Sequence, residues 1–195
     1  MKKRTYDRNN VYREAERLPA GGYIIKILKA EELNYSWGDV LLFNFDIAEG
    51  EHKDFYADNY RNQQGEDKKW KGQFRLNIPK DDGSEKDQWT QKKFNTTMAN
   101  IEDSNPGYRF EWDENTLKGK IVGALFNNKE WEMNGKTGFA TACHSFVTAE
   151  TIRSGKFKIP ADTLLKNRPT TSAAPTTGTG EFLNIPDGLA EELPF

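Results

Sequence analysis

The sequence predicts a mainly β protein whose strands are interrupted by one helix. Apolar and polar residues alternate in several short runs between residues 23 and 147, as they do in strands that bury one face. One stretch, which begins near residue 84, instead has the three-and-four spacing of a helix. The dipeptide Asn134-Gly135 lies between the last two runs and is the strongest hairpin signal in the chain.

The predicted strands are short and rich in β-branched and aromatic residues. The clearest alternation is in residues 40–48, where Leu41, Phe43 and Phe45 share one face. The other predicted strands are residues 23–29, 55–60, 68–78, 117–126 and 138–147.

The predicted helix starts with a capping-box-like sequence at Ser84 and ends at Asn105-Pro106-Gly107. Its buried stripe consists of Phe94, Thr97, Met98 and Ile101. Three or four strands, a helix and a hairpin follow one another in the order of the OB-fold, which has its helix between strands three and four. We therefore predict a five-stranded OB-fold Greek-key barrel over residues 21–165.

Three segments flank the predicted barrel. Residues 1–20 form a polar N-terminal arm, residues 166–186 a linker rich in Pro, Thr and Gly, and residues 187–195 an acidic tip. The linker is too polar to bury anything, so we expect a disordered C-terminal tail. Residues 181–195 contribute −4 to the formal net charge of −2, so residues 1–180 are mildly basic.

Few residues suit catalysis or metal binding. The only histidines are His52 and His144, and Cys143 is the only cysteine. Because Cys143 and His144 are adjacent on a predicted strand, they point to opposite faces and cannot pair as nucleophile and base. The chain has neither a set of zinc-ligand spacings nor a glycine-rich phosphate loop. We predict that the protein is not an enzyme and binds no metal ion or cofactor.

The sequence also predicts a cellular compartment. One cysteine excludes an internal disulfide and fits a reducing environment. The basic start of the chain, residues 1–4, is followed by polar residues instead of the apolar stretch of a secretory signal. Apolar runs of membrane-spanning length do not occur. We expect a cytoplasmic protein without a membrane partner.

Basic and aromatic residues occur together in the segments 34–38, 68–75 and 128–136. Binding of single-stranded nucleic acid needs cations for the phosphates and exposed rings for the unstacked bases. The first and third segments correspond to loops with which OB-folds grip oligonucleotides. With two tyrosines that would line one edge of the groove, the candidate DNA-binding residues are Tyr35, Trp37, Tyr56, Tyr60, Lys69, Lys71, Arg75, Lys129, Trp131 and Lys136.

Each candidate also has a purely structural interpretation. Trp70 and Phe74 share parity with Leu76, which favours core packing over stacking. The basic residues of the same segment point the other way, either to phosphates or to solvent. For Trp37 and Trp131, which lie in loops where burial is difficult, stacking and packing both stay open.

The last nine residues form an acidic peptide that ends in Leu-Pro-Phe, and this resembles the C-terminal tip of bacterial and phage single-stranded DNA-binding proteins. Residues 117–126, the hairpin that follows them, and residues 151–160 resemble members of this family from phages and prophages of Gram-positive bacteria. The resemblance implies non-sequence-specific coverage of single strands during replication, recombination or repair in the bacterial cytoplasm, without catalysis.

The resemblance also implies partner proteins. In this family the tip docks on replication and recombination proteins, and the residues that would do so are Asp187, Glu191, Glu192, Leu193, Pro194 and Phe195. A homo-oligomer, either a dimer or a tetramer, is compatible with the family.

Two other functions stay open. The protein would be an accessory factor if protein contact were its main task and DNA affinity incidental, which the salt dependence of oligonucleotide binding would show. Asp39 and Glu51-His52-Lys53 superficially match the Asp…Glu-x-Lys pattern of metal-dependent nucleases, which cleavage with Mg²⁺ would test. The choice between DNA and RNA is also open, because cationic grooves and stacking rings serve both.

Overall fold

The computed structural model describes residues 17–64 and 66–165. The chain divides after Leu165 into two units, and the linker and tip predicted over residues 166–195 lie outside the described residues. The elements of the first unit are β1 (Gly21–Tyr35), β2 (Gly38–Ile47), α1 (Phe55–Asn62), β3 (Gln73–Asn77), α2 (Glu85–Ser104), a 3-10 helix (Glu114–Leu117), β4 (Ile121–Met133), β5 (Lys136–Val147) and α3 (Ala149–Arg153).

The five strands form one antiparallel sheet in the order β3-β2-β1-β4-β5. Residues 21–26 of β1 pair with β4 and residues 25–35 pair with β2, so β1 connects the two parts of the sheet. The edge strands β3 and β5 contribute Phe74 and Phe146, whose ring centroids are 4.6 Å apart. The prediction of a mainly β protein with five strands and a helix after β3 is confirmed.

The core lies between the inner face of this sheet and helix α2. Phe43, Phe45 and Phe126 are completely buried in it, and the alternation along β2 predicts the burial of the first two. Helix α2 buries the predicted stripe, which consists of Phe94, Thr97, Met98 and Ile101. Its first turn is capped by Ser84, whose Oγ accepts a hydrogen bond from Asp87 N at 3.1 Å. The predicted position of the helix is therefore confirmed.

The prediction of a strand at residues 55–60 is wrong, because this segment forms helix α1. The cause is Asp46, a buried residue near the end of β2. Its two carboxylate oxygens accept hydrogen bonds from Tyr56 N and Ala57 N, both at 2.9 Å. These bonds satisfy donors that a helix N-terminus leaves unpaired. Asp54, at the N-cap position, makes no such bond with its own side chain.

Several predicted boundaries also differ from the structure. Strand β1 continues six residues past residue 29, since pairing with β2 overrides the polar and helix-favouring character of residues 30–34. Strand β3 covers only the second half of the predicted segment 68–78. Leu18, placed in the N-terminal arm by the sequence analysis, is 2% exposed and belongs to the core. Residues 1–16 of that arm lie outside the described residues.

A short segment near the end of the first unit extends the sheet beside β4. The pairing of β4 with β1 ends at Phe126, opposite Gly21. Beyond this point Thr163 pairs with Lys129 on the edge of β4 that β1 leaves free. Glu130 N donates to Thr163 O at 2.9 Å, and Thr163 N donates to Asn128 O at 2.8 Å. The buried side chain of Asn127 donates to Ala161 O at 2.7 Å. These bonds support the base of the long β4–β5 hairpin.

Within residues 17–64 and 66–165, none of the helices has the length and apolar character needed to cross a membrane.

Candidate nucleic-acid interface

The tip of the β1–β2 hairpin carries two aromatic rings that stack on each other. The ring centroids of Tyr35 and Trp37 are 5.1 Å apart, and their planes differ by 6°. Both side chains stay accessible, with Tyr35 39% and Trp37 54% exposed. Stacked rings attract each other beyond the area that they bury. The hairpin therefore presents a preformed aromatic surface to solvent.

Lys80, which the sequence analysis did not single out, holds this tip in place. Its Nζ donates to Trp37 O at 2.7 Å, and its backbone N donates to Asp87 Oδ1 at 2.7 Å. The Lys80 side chain also passes close to Gly38, where an added Cβ would lie 3.0 Å from Lys80 Cε. Because β3 is antiparallel to β2, the residues that follow β3 return to the start of β2. That topology is the signal that could have identified Lys80.

The outer face of strands β1, β2 and β3 carries Arg75. On this face Arg75 lies opposite Leu42 of β2, and Leu42 lies opposite Glu31 of β1. Glu31 Oε2 is 2.6 Å from Lys29 Nζ, so these two charges compensate each other. Arg75 therefore supplies positive charge on the β3 side of the face.

The alternation predicted through β3 places the basic residues outside. Phe74 and Leu76 are 5% and 1% exposed and belong to the core. Lys69, Lys71 and Arg75 are exposed. The core interpretation of Phe74 is thus correct, and Lys69, Lys71 and Arg75 are accessible to a ligand.

Tyr60 and Trp70 form a second aromatic pair, beside helix α1. Their ring centroids are 5.9 Å apart, and Tyr60 is 38% exposed. Trp70 Nε1 donates to Phe45 O and to Gly72 O, at 3.2 and 3.1 Å, which fixes the indole ring. Lys68 Nζ lies 5.9 Å from the centre of the Tyr60 ring. A cation and an accessible ring are thus close together, as base and phosphate contacts require.

Tyr56 has to be removed from the candidate DNA-binding residues. It is 6% exposed, and its ring packs edge-on against Phe45 at a centroid distance of 5.6 Å. Burial raises the pKa of its hydroxyl above the ordinary value for tyrosine. The error follows from the predicted strand at residues 55–60. In the helix, Tyr56 and Tyr60 still share a face, but the N-terminal residue of the pair points into the core.

The β4–β5 hairpin carries the third aromatic and basic group. Its turn is Asn134-Gly135, with φ angles of 53° and 73°, as the hairpin prediction expects. Lys129, Trp131 and Met133 alternate along one face of β4, and Lys136 lies opposite Met133. Trp131 is 40% exposed.

Gly138 lies directly opposite Trp131 and leaves room for its ring. An added Cβ at Gly138 would lie 2.8 Å from Trp131 Cζ2 and 3.0 Å from Cε2. The indole ring therefore covers the backbone of Gly138, an arrangement that compensates a glycine in a strand.

Six of the sequence-predicted residues fall into three groups, which also include Lys80, Lys68 and Trp70. The first is Tyr35 and Trp37 with Lys80, the second is Tyr60 with Lys68 and Trp70, and the third is Trp131 with Lys129 and Lys136. Arg75, Lys69 and Lys71 are exposed along and just before β3. The candidate partner-binding residues, which are Asp187, Glu191, Glu192, Leu193, Pro194 and Phe195, lie outside the described residues.

The nuclease-like pattern is not assembled at one place. Asp39 is the second residue of β2, whereas Glu51 and Lys53 come after the other end of this strand. With a rise of about 3.3 Å per residue, the length of β2 separates them by on the order of 25 Å. Among residues 17–64 and 66–165, groups of three or more His, Cys, Asp or Glu side chains suited to a metal ion are absent.

Cys143 and His144 likewise do not form a catalytic pair. Cys143 packs against the core, and burial raises the pKa of its thiol, which disfavours the reactive thiolate. His144 is exposed, and its Nδ1 lies 3.2 Å from Ser145 Oγ. Partial burial, together with the charge of Lys93, lowers the pKa of His144, which favours the neutral ring.

Neither protein-family models nor curated proteins give a match to this chain.

Proposed function

We propose that the protein binds single-stranded DNA without sequence specificity and recruits replication or recombination proteins through its C-terminal tip. The observation that carries the proposal is the stacked, exposed pair of Tyr35 and Trp37 beside Lys80. Exposed rings offer stacking surfaces to unpaired bases of any identity, and neighbouring cations bind the phosphates. Bases in a duplex are already stacked on one another, so this surface favours single strands.

The architecture supports the proposal. Strand order β3-β2-β1-β4-β5 with a helix between β3 and β4 is the order of an OB-fold, and Phe74 meets Phe146 across the two edges of the sheet. We propose that the sheet is an OB-fold barrel. In that fold the β1–β2 and β4–β5 loops bind oligonucleotides, and these loops carry the first and third groups.

Arg75→Gln should weaken binding of oligo-dT and make it less dependent on salt. If Arg75 neutralises one phosphate, the slope of log affinity against log salt concentration should become shallower by about 0.7. Titrations at several salt concentrations measure the slope. Arg109→Gln is the matched control, since Arg109 is exposed, pairs with Glu102 at 2.6 Å and belongs to none of the three groups. An unchanged slope for Arg75→Gln would remove the outer sheet face from the interface. Salt-independent binding by the unmodified protein would favour the accessory-factor alternative.

Gly138→Ala should weaken single-strand binding through displacement of Trp131. The new methyl group would occupy the space of the indole, which can move because it is a side chain at the surface. We expect a loss of affinity near that of Trp131→Ala, which is about 1–3 kcal/mol if the ring stacks on a base. Both single variants and the double variant would be titrated with oligo-dT. A double variant that binds much more weakly than either single variant would contradict this mechanism.

Deletion of residues 187–195 should abolish partner binding but preserve single-strand binding. The deletion removes the terminal aromatic ring and three acidic side chains, Asp187, Glu191 and Glu192. Without these negative charges, affinity for DNA should stay the same or rise, most clearly at low salt, where screening is weakest. Pull-downs with replication and recombination proteins, together with oligo-dT titrations, measure both effects. Retention of the same partners after truncation would refute the docking role.

A further inference from the structure

Helix α2 presents a second basic and aromatic surface, on the side turned away from the core. Trp89 is 73% exposed, which makes it the most accessible tryptophan among the described residues. Lys86, Lys92 and Lys93 are three or four residues from it and are exposed, as is Glu85, so three positive charges and one negative charge surround the ring. Residues at these spacings are neighbours on a helix surface. We call Lys86, Trp89, Lys92 and Lys93 the α2 basic face.

The α2 basic face contributes little to the packing of the helix. The buried residues of α2, among them Phe94, Met98 and Ile101, lie on the opposite side. A tryptophan with about three quarters of its surface in water gains little from burial. Trp89 thus has an open ring between cations, which is the combination that stacked bases and phosphates need.

The α2 basic face is connected to the β1–β2 hairpin tip through one residue. Lys80 binds Trp37 O with its Nζ, and it binds Asp87 Oδ1 with its backbone N. Asp87 lies in the first turn of α2, two residues before Trp89. Asp87 and Trp89 are on opposite sides of the helix, so a strand that reaches both has to pass around half of its circumference, roughly 16–19 Å of surface.

Exposure alone does not define this surface, as Trp112 shows. Trp112 is 67% exposed, but its ring stacks on the buried Phe94 at a centroid distance of 5.2 Å. The exposed residues on either side of it in the chain, Glu111 and Asp113, are acidic. That surface would repel phosphates, whereas the three lysines around Trp89 outnumber Glu85 and would attract them.

We propose that the α2 basic face is a second binding segment for the same nucleic-acid strand. The strand would pass from the rings of Tyr35 and Trp37 over Lys80 to Trp89. This inference rests on the proposed function and deepens it, because it assigns Trp89 and three lysines to the site and lengthens the path of the strand.

The test compares short and long oligonucleotides. OB-folds contact roughly 4–16 nucleotides, so oligo-dT of about 5 nucleotides would occupy the hairpin tip, and oligo-dT of about 16 would also reach α2. Trp89→Ala should leave the affinity for the short oligonucleotide unchanged and lower that for the long one roughly tenfold, as loss of one stacked base requires. Trp89→Phe should restore most of the loss. Replacing Lys86, Lys92 and Lys93 together by Gln should make the salt slope shallower for the long oligonucleotide only.

Two controls match these variants in exposure and residue type. Trp112→Ala removes an exposed tryptophan from an acidic surface, and Lys118→Gln removes an exposed lysine outside the α2 basic face. Neither should alter the preference for the long oligonucleotide. Melting curves check that each variant folds. Because Trp89 is highly exposed, we expect its replacement to leave the melting temperature nearly unchanged.

Three results would overturn the inference. Equal affinity of Trp89→Ala and the unmodified protein for both lengths would exclude a contact at Trp89. Equal losses at both lengths would place Trp89 in the primary site instead of a second segment. If poly-glutamate bound the α2 basic face while the lysine changes left the affinity and the salt slope for long oligo-dT unaltered, the surface would bind an acidic protein partner. An unmodified protein that bound neither length would overturn the proposed function itself.

Discussion

Tyr35→Ala combined with Trp37→Ala should weaken binding of single-stranded oligo-dT more than any other surface change. Each ring that stacks on a base contributes about 1–3 kcal/mol, so removal of both should lower affinity at least tenfold. Because both side chains are exposed at the hairpin tip, we expect little change in the free energy of unfolding. Equilibrium titration and thermal melting of the same preparations measure the two quantities.

The matched control keeps the rings but changes their identity. Tyr35→Phe with Trp37→Phe preserves two stacking surfaces and should retain most of the affinity, since stacking is tolerant of ring type. The two double variants also leave every charge in place, so their salt slopes should equal that of the unmodified protein. If the double alanine variant bound oligo-dT as tightly as the unmodified protein, the stacked pair would not be a base-binding surface.

Asp46→Ala should lower the free energy of unfolding by about 3 kcal/mol. The substitution leaves the backbone N–H groups of Tyr56 and Ala57 without the carboxylate that now accepts from them. Each buried donor left unsatisfied costs about 1–3 kcal/mol. Helix α1 should then become less stable, and Tyr60, which this helix carries, should be held less firmly in place. Denaturant unfolding gives the free energy, and far-ultraviolet circular dichroism reports the helix.

Asp46→Asn removes the charge of this side chain and keeps only one of its two acceptor oxygens, so it loses one hydrogen bond and no longer titrates. Burial is the main cause that raises the pKa of Asp46 in the folded protein, so its charged form is disfavoured there. A raised folded-state pKa means that its stabilising contribution is present at low pH and is lost as pH rises through that pKa. The stability difference between Asp46→Asn and the unmodified protein should therefore shift in favour of the Asn variant as pH rises from about 4 to 7. A shift in the opposite direction would contradict the pKa assignment.

Periodicity and capping predicted the parts of the fold that depend on local sequence. Helix α2 has a Ser84 cap and a clear apolar stripe, and the β4–β5 turn has the Asn-Gly pair that its positive φ angles require. Helix α1 could not be predicted in this way, because its N-terminus is capped by Asp46, which is ten residues from Tyr56. The second half of β1 was missed for a similar reason, since its pairing with β2 outweighs its own propensity.

The sequence predicted which kinds of residue the candidate site contains better than it predicted how these residues are arranged in space. Alternation separated Arg75 from the buried Phe74 correctly. Tyr56 was misplaced because it has a ring of the right kind in an element of the wrong type. Lys80 was missed, because its contacts with Trp37 and Asp87 depend on where β3 ends and on how α2 begins. Positions of this kind follow from topology and cannot be read from spacing along the chain.

The most direct measurement for the central claim is quenching of tryptophan fluorescence by oligo-dT and by duplex DNA of equal length. Trp37 and Trp131 are exposed within the first and third groups and should report stacked bases. We predict that oligo-dT quenches the emission at low concentration, with an affinity that falls as salt is added, and that the duplex binds much more weakly. Equal affinity for oligo-dT and duplex, or binding of oligo-dT without quenching, would contradict a site that works by stacking unpaired bases.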